Sequence, residues 1–123
     1  MKRLLLLFVL LLLVVSGCTD KNIQFSGESE HWKGQYNAVI GDTREDGEYT
    51  FKYKKATEDT VIENLKIVIN DGETVLNGKR HKGAIVKVSS ACSGCAVTNP
   101  EASIQVVIEW GKGKEEAFPL DPN

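Results

Sequence analysis

The sequence predicts an all-β domain, an antiparallel β-sandwich of about seven short strands. The first sign is two-residue alternation: in GEYTFKY, Tyr49, Phe51 and Tyr53 share one face, and Glu48, Thr50 and Lys52 the other. The second is a set of β-branched runs, LKIVIN and AIVKV, whose side chains favour a pleated surface. The third is turn chemistry at a spacing of about 8–12 residues. It comprises Asp46-Gly47, Asp71-Gly72, Asn77-Gly78, Ser93-Gly94, Asn99-Pro100 and Gly111-Lys112-Gly113, where Gly, Asn and Asp accept positive φ. An immunoglobulin-like topology is one arrangement of such strands, and a small open barrel leaves the same trace.

The chain begins MKRLLLLFVLLLLVVSGC, with basic Lys2 and Arg3 before an uncharged apolar run from Leu4 to Val15 and small Ser16 and Gly17. That is the layout of an export signal, and the run falls short of the ~20 residues a membrane span needs. Val15-Ser16-Gly17-Cys18 resembles the lipobox of bacterial prolipoproteins, in which the cysteine thiol is diacylglycerated and the chain is cut just before it. The resemblance implies a signal peptide over 1–17 and a lipidated Cys18, with the protein held at the extracytoplasmic face of the cell membrane. Two acyl chains hold a domain stably where one holds it marginally. An ordinary cleaved signal that leaves Cys18 as a thiol is the competing reading. Residues 18–30 then read as the lipidated cysteine and a polar tether, interrupted only by Ile23 and Phe25, and residues 31–123 as a single β-domain.

Within that domain, HWKGQYNAVI places Trp32, Tyr36, Ala38 and Ile40 on one face, and Gly34 leaves room for another backbone or an aromatic ring. TEDTVIENLKIV offers Thr60 as a cap before Glu63, but its β-branched run pulls it toward strand. SIQVVIEW alternates through Ile104, Val106, Ile108 and Trp110, and FPLDPN reads as a last strand that frays.

Chemistry concentrates in CSGC, Cys92 to Cys95. A redox pair of the thioredoxin type needs its first cysteine at a helix N-terminus, and here a strand precedes Cys92 while Asn99-Pro100 opposes an early helix. A metal centre needs about four ligands, and His31 and His81 share no ligand spacing with the pair or with each other. A disulfide across a Ser-Gly turn fits the β-turn geometry and an oxidising compartment. Both histidines read as solvated surface groups. In NGKRHKG, Lys79, Arg80 and Lys82 form a basic stretch that reads as a solvated hairpin end or as a contact for lipid headgroups or wall polymers. GDTREDGEY gathers Asp42, Glu45, Asp46 and Glu48, but not in the D-x-D-x-D-G calcium pattern, and reads as a solvated turn.

Losing Lys2 and Arg3 from 15 basic residues leaves 13 against 17 acidic ones, a formal charge of −4. That balance opposes nucleic acid as a partner. The sequence holds no G-x-S-x-G, H-E-x-x-H or phosphate-binding loop, and it calls for no metal or cofactor. FSGESEHWKGQY, with the lipobox, the late CxxC and the closing IEWGKGKEEAF, resembles small lipoproteins of Bacillus-type Gram-positive bacteria. Many of these carry F-x-G-E-S-x-x-W-x-G-x-Y after the anchor. The resemblance implies a membrane-anchored, cell-surface β-domain and supplies no catalytic residues. The expected function is therefore a non-catalytic binding domain for an envelope protein or wall component; the alternative is an extracytoplasmic thiol-disulfide protein using Cys92 and Cys95.

Overall fold

The structure, a computed structural model, describes residues 2–4, 21–93 and 98–123, apart from the Lys79 side chain. Residues 5–17, which hold nearly all of the apolar run, Cys18 and Cys95 lie outside the described residues. Among the described residues, no helix is long and apolar enough to cross a membrane. Eight strands follow one another: β1 Lys21–Glu28, β2 Trp32–Ile40, β3 Arg44–Tyr53, β4 Val61–Ile69, β5 Thr74–Lys82, β6 Ile85–Ser93, β7 Ile104–Trp110 and β8 Lys114–Pro122. They form a single sheet in the order β5-β4-β7-β8-β1-β2-β3-β6, and every neighbouring pair is antiparallel.

The all-β, antiparallel expectation holds. The sheet is nearly closed, so the open-barrel alternative describes it better than two separate sheets do. Its two halves, β5-β4-β7-β8 and β1-β2-β3-β6, meet at a narrow joint, where only Phe25↔Pro122 and Ser26↔Asp121 pair β1 with β8. The opposite seam lies between β5 and β6, the two strands at the ends of the order.

One strand sits where a tether was expected. Residues 21–28 pair with β2 along their full length, and Ile23 and Phe25 are buried in the core. Their i, i+2 spacing is strand periodicity, and the polar residues between them point outward. The folded domain therefore includes Lys21–Glu28, ahead of the start expected at His31. The inward faces of the other strands match the alternation: Trp32, Tyr36 and Ala38 on β2, Tyr49 and Phe51 on β3, and all four expected residues on β7 are buried. Full burial of a large apolar side chain contributes about 1.5–3 kcal/mol.

Two turn expectations fail for different reasons. Asp46-Gly47 runs inside β3, and Gly47 is there to let the Tyr36 ring pass, since a Cβ would lie 2.1 Å from the Tyr36 hydroxyl oxygen. Asn77-Gly78 runs inside β5, paired through Lys66↔Asn77 and Leu65↔Gly78, so strand pairing overrides its turn preference. The expected turns at Asp71-Gly72 and Gly111-Lys112-Gly113 do form, and a further reversal falls at Gly83; backbone φ is positive at Asn70, Asp71, Gly72, Gly83, Gly111 and Gly113. The C-terminus does not fray: Phe118 and Leu120 are buried, and the Asn123 amide donates to the Gln24 carbonyl at 3.0 Å.

Two glycines govern the closure. At Gly27 a Cβ would lie 1.9 Å from the Pro119 carbonyl oxygen, a backbone atom. At Gly34 a Cβ would meet side chains only, Leu120 at 2.8 Å and Phe118 at 3.0 Å, which is the aromatic packing expected of that position. Gly27→Ala is accordingly expected to cost about 3 kcal/mol or more by overpacking against a backbone that cannot move aside. Gly34→Ala should cost less, and Gly78→Ala, with nothing within 4 Å, should be close to neutral. Urea unfolding midpoints of the three variants check this order, and equal effects at Gly27 and Gly78 would refute it.

Candidate functional site

At the end of the sheet where β1 begins, a carboxylate enters the interior. Alternation along β3 sends Glu45 inward with Gly47, Tyr49 and Phe51, and its residue exposure is only 8%. The Tyr36 hydroxyl donates to Glu45 Oε2 at 2.5 Å, the Thr98 hydroxyl donates to the same oxygen at 2.7 Å, and the Thr98 amide donates to Oε1 at 2.6 Å. Burial alone raises the Glu45 pKa, but these donors outweigh it and hold the carboxyl below its ordinary range. Burial, then the hydrogen bond to Glu45, pushes the Tyr36 hydroxyl above its ordinary range. Tyr49 is pushed up to about 12, by burial first and then by the charges of Glu73 and Glu45.

Cys92 lies directly across the strand pair from Glu45, at the end of β6. It is disulfide-bonded, and the chain's other cysteines, Cys18 and Cys95, lie outside the described residues. Glu45, Tyr49, Glu73, Ser90, Cys92 and Thr98 line a small cavity of about 200 Å³. Thr98, five residues after β6 ends, is thereby clamped to the frame by Glu45.

The acidic stretch around Glu45 does not form one loop. Glu45 points inward, while Asp46 pairs with Arg44 at 2.7 Å and Glu48 reaches Lys87 at 3.8 Å on the outer face. No shared calcium centre results among these described residues.

The opposite end of the sheet holds a second polar cluster that the sequence reading missed. Glu116, on β8, accepts from the Ser29 hydroxyl at 2.5 Å, from the His31 amide at 2.9 Å and from His31 Nδ1 at 2.5 Å. Burial opposes its ionisation, but the Ser29 and His31 donors together keep its pKa below the ordinary value. His31 is therefore no solvated surface residue; its ring also packs by Tyr53 and Trp110, at centroid distances of 6.3 and 5.9 Å. Beneath it, Trp32 meets Trp110 edge-on at 5.7 Å, and both indole N–H groups are buried without an acceptor. Ser29, Glu116 and His31 have the residue types of a hydrolytic triad in the wrong order. The carboxylate stands between serine and histidine, whereas a nucleophile needs the imidazole beside it. Glu30, His31 and Glu116 also bring ligand atoms within 4.8 Å of one another, although Glu116 already has three donors.

The basic stretch is not a hairpin end. Arg80, His81 and Lys82 belong to β5, at one end of the sheet order. Arg80 reaches Glu63 at 3.4 Å, His81 Nε2 hydrogen-bonds the Ile85 carbonyl at 2.8 Å, and Lys82 is exposed. The structure thus spreads these residues along a strand instead of gathering them in a loop.

The FSGESEHWKGQY stretch is accounted for residue by residue in the frame. Phe25 and Trp32 fill the core, Gly27 and Gly34 admit β8, Glu28 pairs with Lys54 at 3.0 Å, Ser29 holds Glu116, and Tyr36 holds Glu45. No protein-family model, no curated protein and no solved structure matches the chain.

Both locked carboxylates make stability depend on pH. Their folded pKa values lie below the unfolded one, so on acidification the unfolded chain takes up protons first. Their contribution is fully present above the unfolded glutamate pKa of about 4.3 and is lost as pH falls through the folded values. Glu45→Gln should flatten this acid limb, and Glu45→Ala should cost about 1.5–3 kcal/mol by stranding the Tyr36 hydroxyl. Urea midpoints measured from pH 7 to pH 3 check both, and an unchanged acid limb in Glu45→Gln would contradict the assignment.

Proposed function

We propose that this chain is a lipid-anchored, extracytoplasmic binding domain: residues 1–17 direct export, Cys18 carries the lipid, and the β-domain binds an envelope protein or wall component without catalysing a reaction. The observation that carries the non-catalytic reading is the use made of the two interior carboxylates. Glu45 and Glu116 each accept three hydrogen bonds from the chain's own donors. A carboxylate so occupied serves the frame, since a general base needs a free lone pair aimed at a substrate proton. The anchor rests on the N-terminal sequence, and its resemblance to the prolipoprotein lipobox supports it.

The position of β1 sharpens this picture. It begins at Lys21, three residue steps from Cys18, a reach of about 11 Å at most. The end of the sheet bearing Lys21, Ile40 and Arg44 would then face the lipid, and the end bearing Glu28, Lys33 and Tyr53 would point away.

The thiol-disulfide alternative finds less support. Cys92 closes an antiparallel strand, and its cross-strand neighbour is a buried glutamate. A nearby negative charge disfavours a thiolate, the reverse of the electropositive setting a reactive cysteine needs. We read Cys92 and Cys95 as a structural staple across the Ser93-Gly94 turn.

Fractionation of cells tests the anchor: Cys18→Ala protein should leave the membrane for the medium, and retention would refute lipidation at Cys18. The form starting at Thr19 keeps every buried core residue, Ile23 to Leu120, and should show no turnover on thiol, ester or glycan substrates. Its disulfide should have a potential below about −300 mV. After reduction, iodoacetamide should modify Cys92 several-fold faster in Glu45→Gln than in wild type. A potential in the oxidoreductase range, roughly −270 to −120 mV, would favour the alternative.

A further inference from the structure

The outer face of β1, β2, β3 and β6 holds a groove of about 570 Å³, within the range of small-ligand sites. Ser26, Lys33, Gln35, Thr50, Lys52 and Ile85 line it, with Glu28 at its margin. Gly27 and Gly34, which stand opposite each other in register, also line it. Both occupy inward positions with no side chain, and β8 lies directly behind them. The groove lies over that pair.

Lys33 and Lys52 are direct cross-strand partners on this face. Like charges placed directly opposite destabilise a sheet. Among the described residues neither lysine makes an ion pair; Glu28, opposite Lys33, is attracted by its charge but engages Lys54 at 3.0 Å. An anion between the two ammonium groups would offset that repulsion. The cations of the lining are compact lysine charges, which hold a phosphate group as point charges. Around them Ser26, Gln35 and Thr50 present hydroxyl and amide groups suited to polyol hydroxyls, and half-exposed Ile85 offers an apolar surface for a ring or carbon chain.

We infer that this groove binds a phosphate ester carried on a polyhydroxylated body, such as a phosphorylated sugar unit of an envelope glycan. The inference rests on the anchored binding-domain reading for its setting. Glu28, Lys33, Lys52 and Ile85 form one cross-strand row, seven residues along β1 from Lys21, or roughly 20 Å at the rise of a strand. A domain tethered at Cys18 holds that row away from the headgroups. Two lysines beside a glutamate also fall short of the cluster of about 4–8 basic residues that recruits proteins to anionic lipid.

The test is an amide chemical-shift titration of the form starting at Thr19. Its probes are glucose 1-phosphate, glucose, inorganic phosphate, and vesicles with about a third anionic lipid. The expected result is saturable shifts at Lys33, Gln35, Thr50 and Lys52 with glucose 1-phosphate, at lower concentration than with phosphate or glucose. The Lys33→Ala, Lys52→Ala double variant should bind about tenfold more weakly, yet unfold at the same or a higher urea concentration, because a repulsive pair has been removed. Equal response to inorganic phosphate would overturn the polyol part of the inference. Shifts located elsewhere, unaltered affinity in the double variant, no response, or vesicle binding through these lysines would overturn the groove assignment. None of these results bears on the binding-domain reading, which fails instead on catalytic turnover or on membrane retention of Cys18→Ala.

Discussion

The architecture depends on one close approach, the passage of β8 behind Gly27. Only two residue pairs join the halves of the sheet there, so the joint derives little strength from its hydrogen-bond ladder. Fit holds it instead. The Pro119 carbonyl occupies the space a Cβ would fill, and the neighbouring Phe118 and Leu120 are buried, with both side chains meeting Gly34. Once β8 is seated, β7 is aligned beside it and β4 beside β7. The interior then fills with the inward side chains of both halves. The two glycines that admit β8 on the inner side also line the groove on the outer face.

Polar groups lock both ends of this frame. Glu45 ties β3 to β2 through Tyr36 and reaches the chain beyond β6 through Thr98. Glu116 ties β8 to the β1–β2 turn through Ser29 and His31. A nearly closed sheet has most to lose at its ends, where the ladder runs out and water enters. Charge-assisted hydrogen bonds are strong and directional, which suits them to fixing loops that carry little apolar surface. The two buried indole N–H groups near His31 are a cost on the other side of the balance, carried by the close aromatic packing of Trp32, Tyr53 and Trp110.

Strand identity was legible in the sequence wherever a run was long enough to alternate, as in Tyr49 to Tyr53 and Ile104 to Trp110. Ile23 and Phe25 were too few to outweigh the polar residues around them, so β1 read as a tether. Asp46-Gly47 and Asn77-Gly78 show the limit of local turn rules. Such a pair permits a reversal, but pairing with the neighbouring strand decides whether one occurs. Glu45 looked like one solvated acid among four because only its register on β3, set by long-range pairing, turns it inward. The partnership of His31 with Glu116 spans 85 residues and leaves no local signal at all. CSGC drew notice as the one local motif with chemical spacing, although the groups that decide its character, Glu45 above all, lie on another strand.

The frame and the outer surface follow different rules. Inside, every strongly placed charge finds complementary partners: Glu45 and Glu116 are each surrounded by donors. On the outer face of the same strands, Arg44 pairs with Asp46 and Lys87 with Glu48, which leaves Lys33 and Lys52 facing each other. A fold that surrounds these two acids with donors gains no stability from opposing two cations across one strand pair. The exception coincides with the pair Gly27 and Gly34, which stand in register and line the groove. Shape and charge thus depart from the structural rule at the same point, and the far end of β1 carries that point away from the start of the domain.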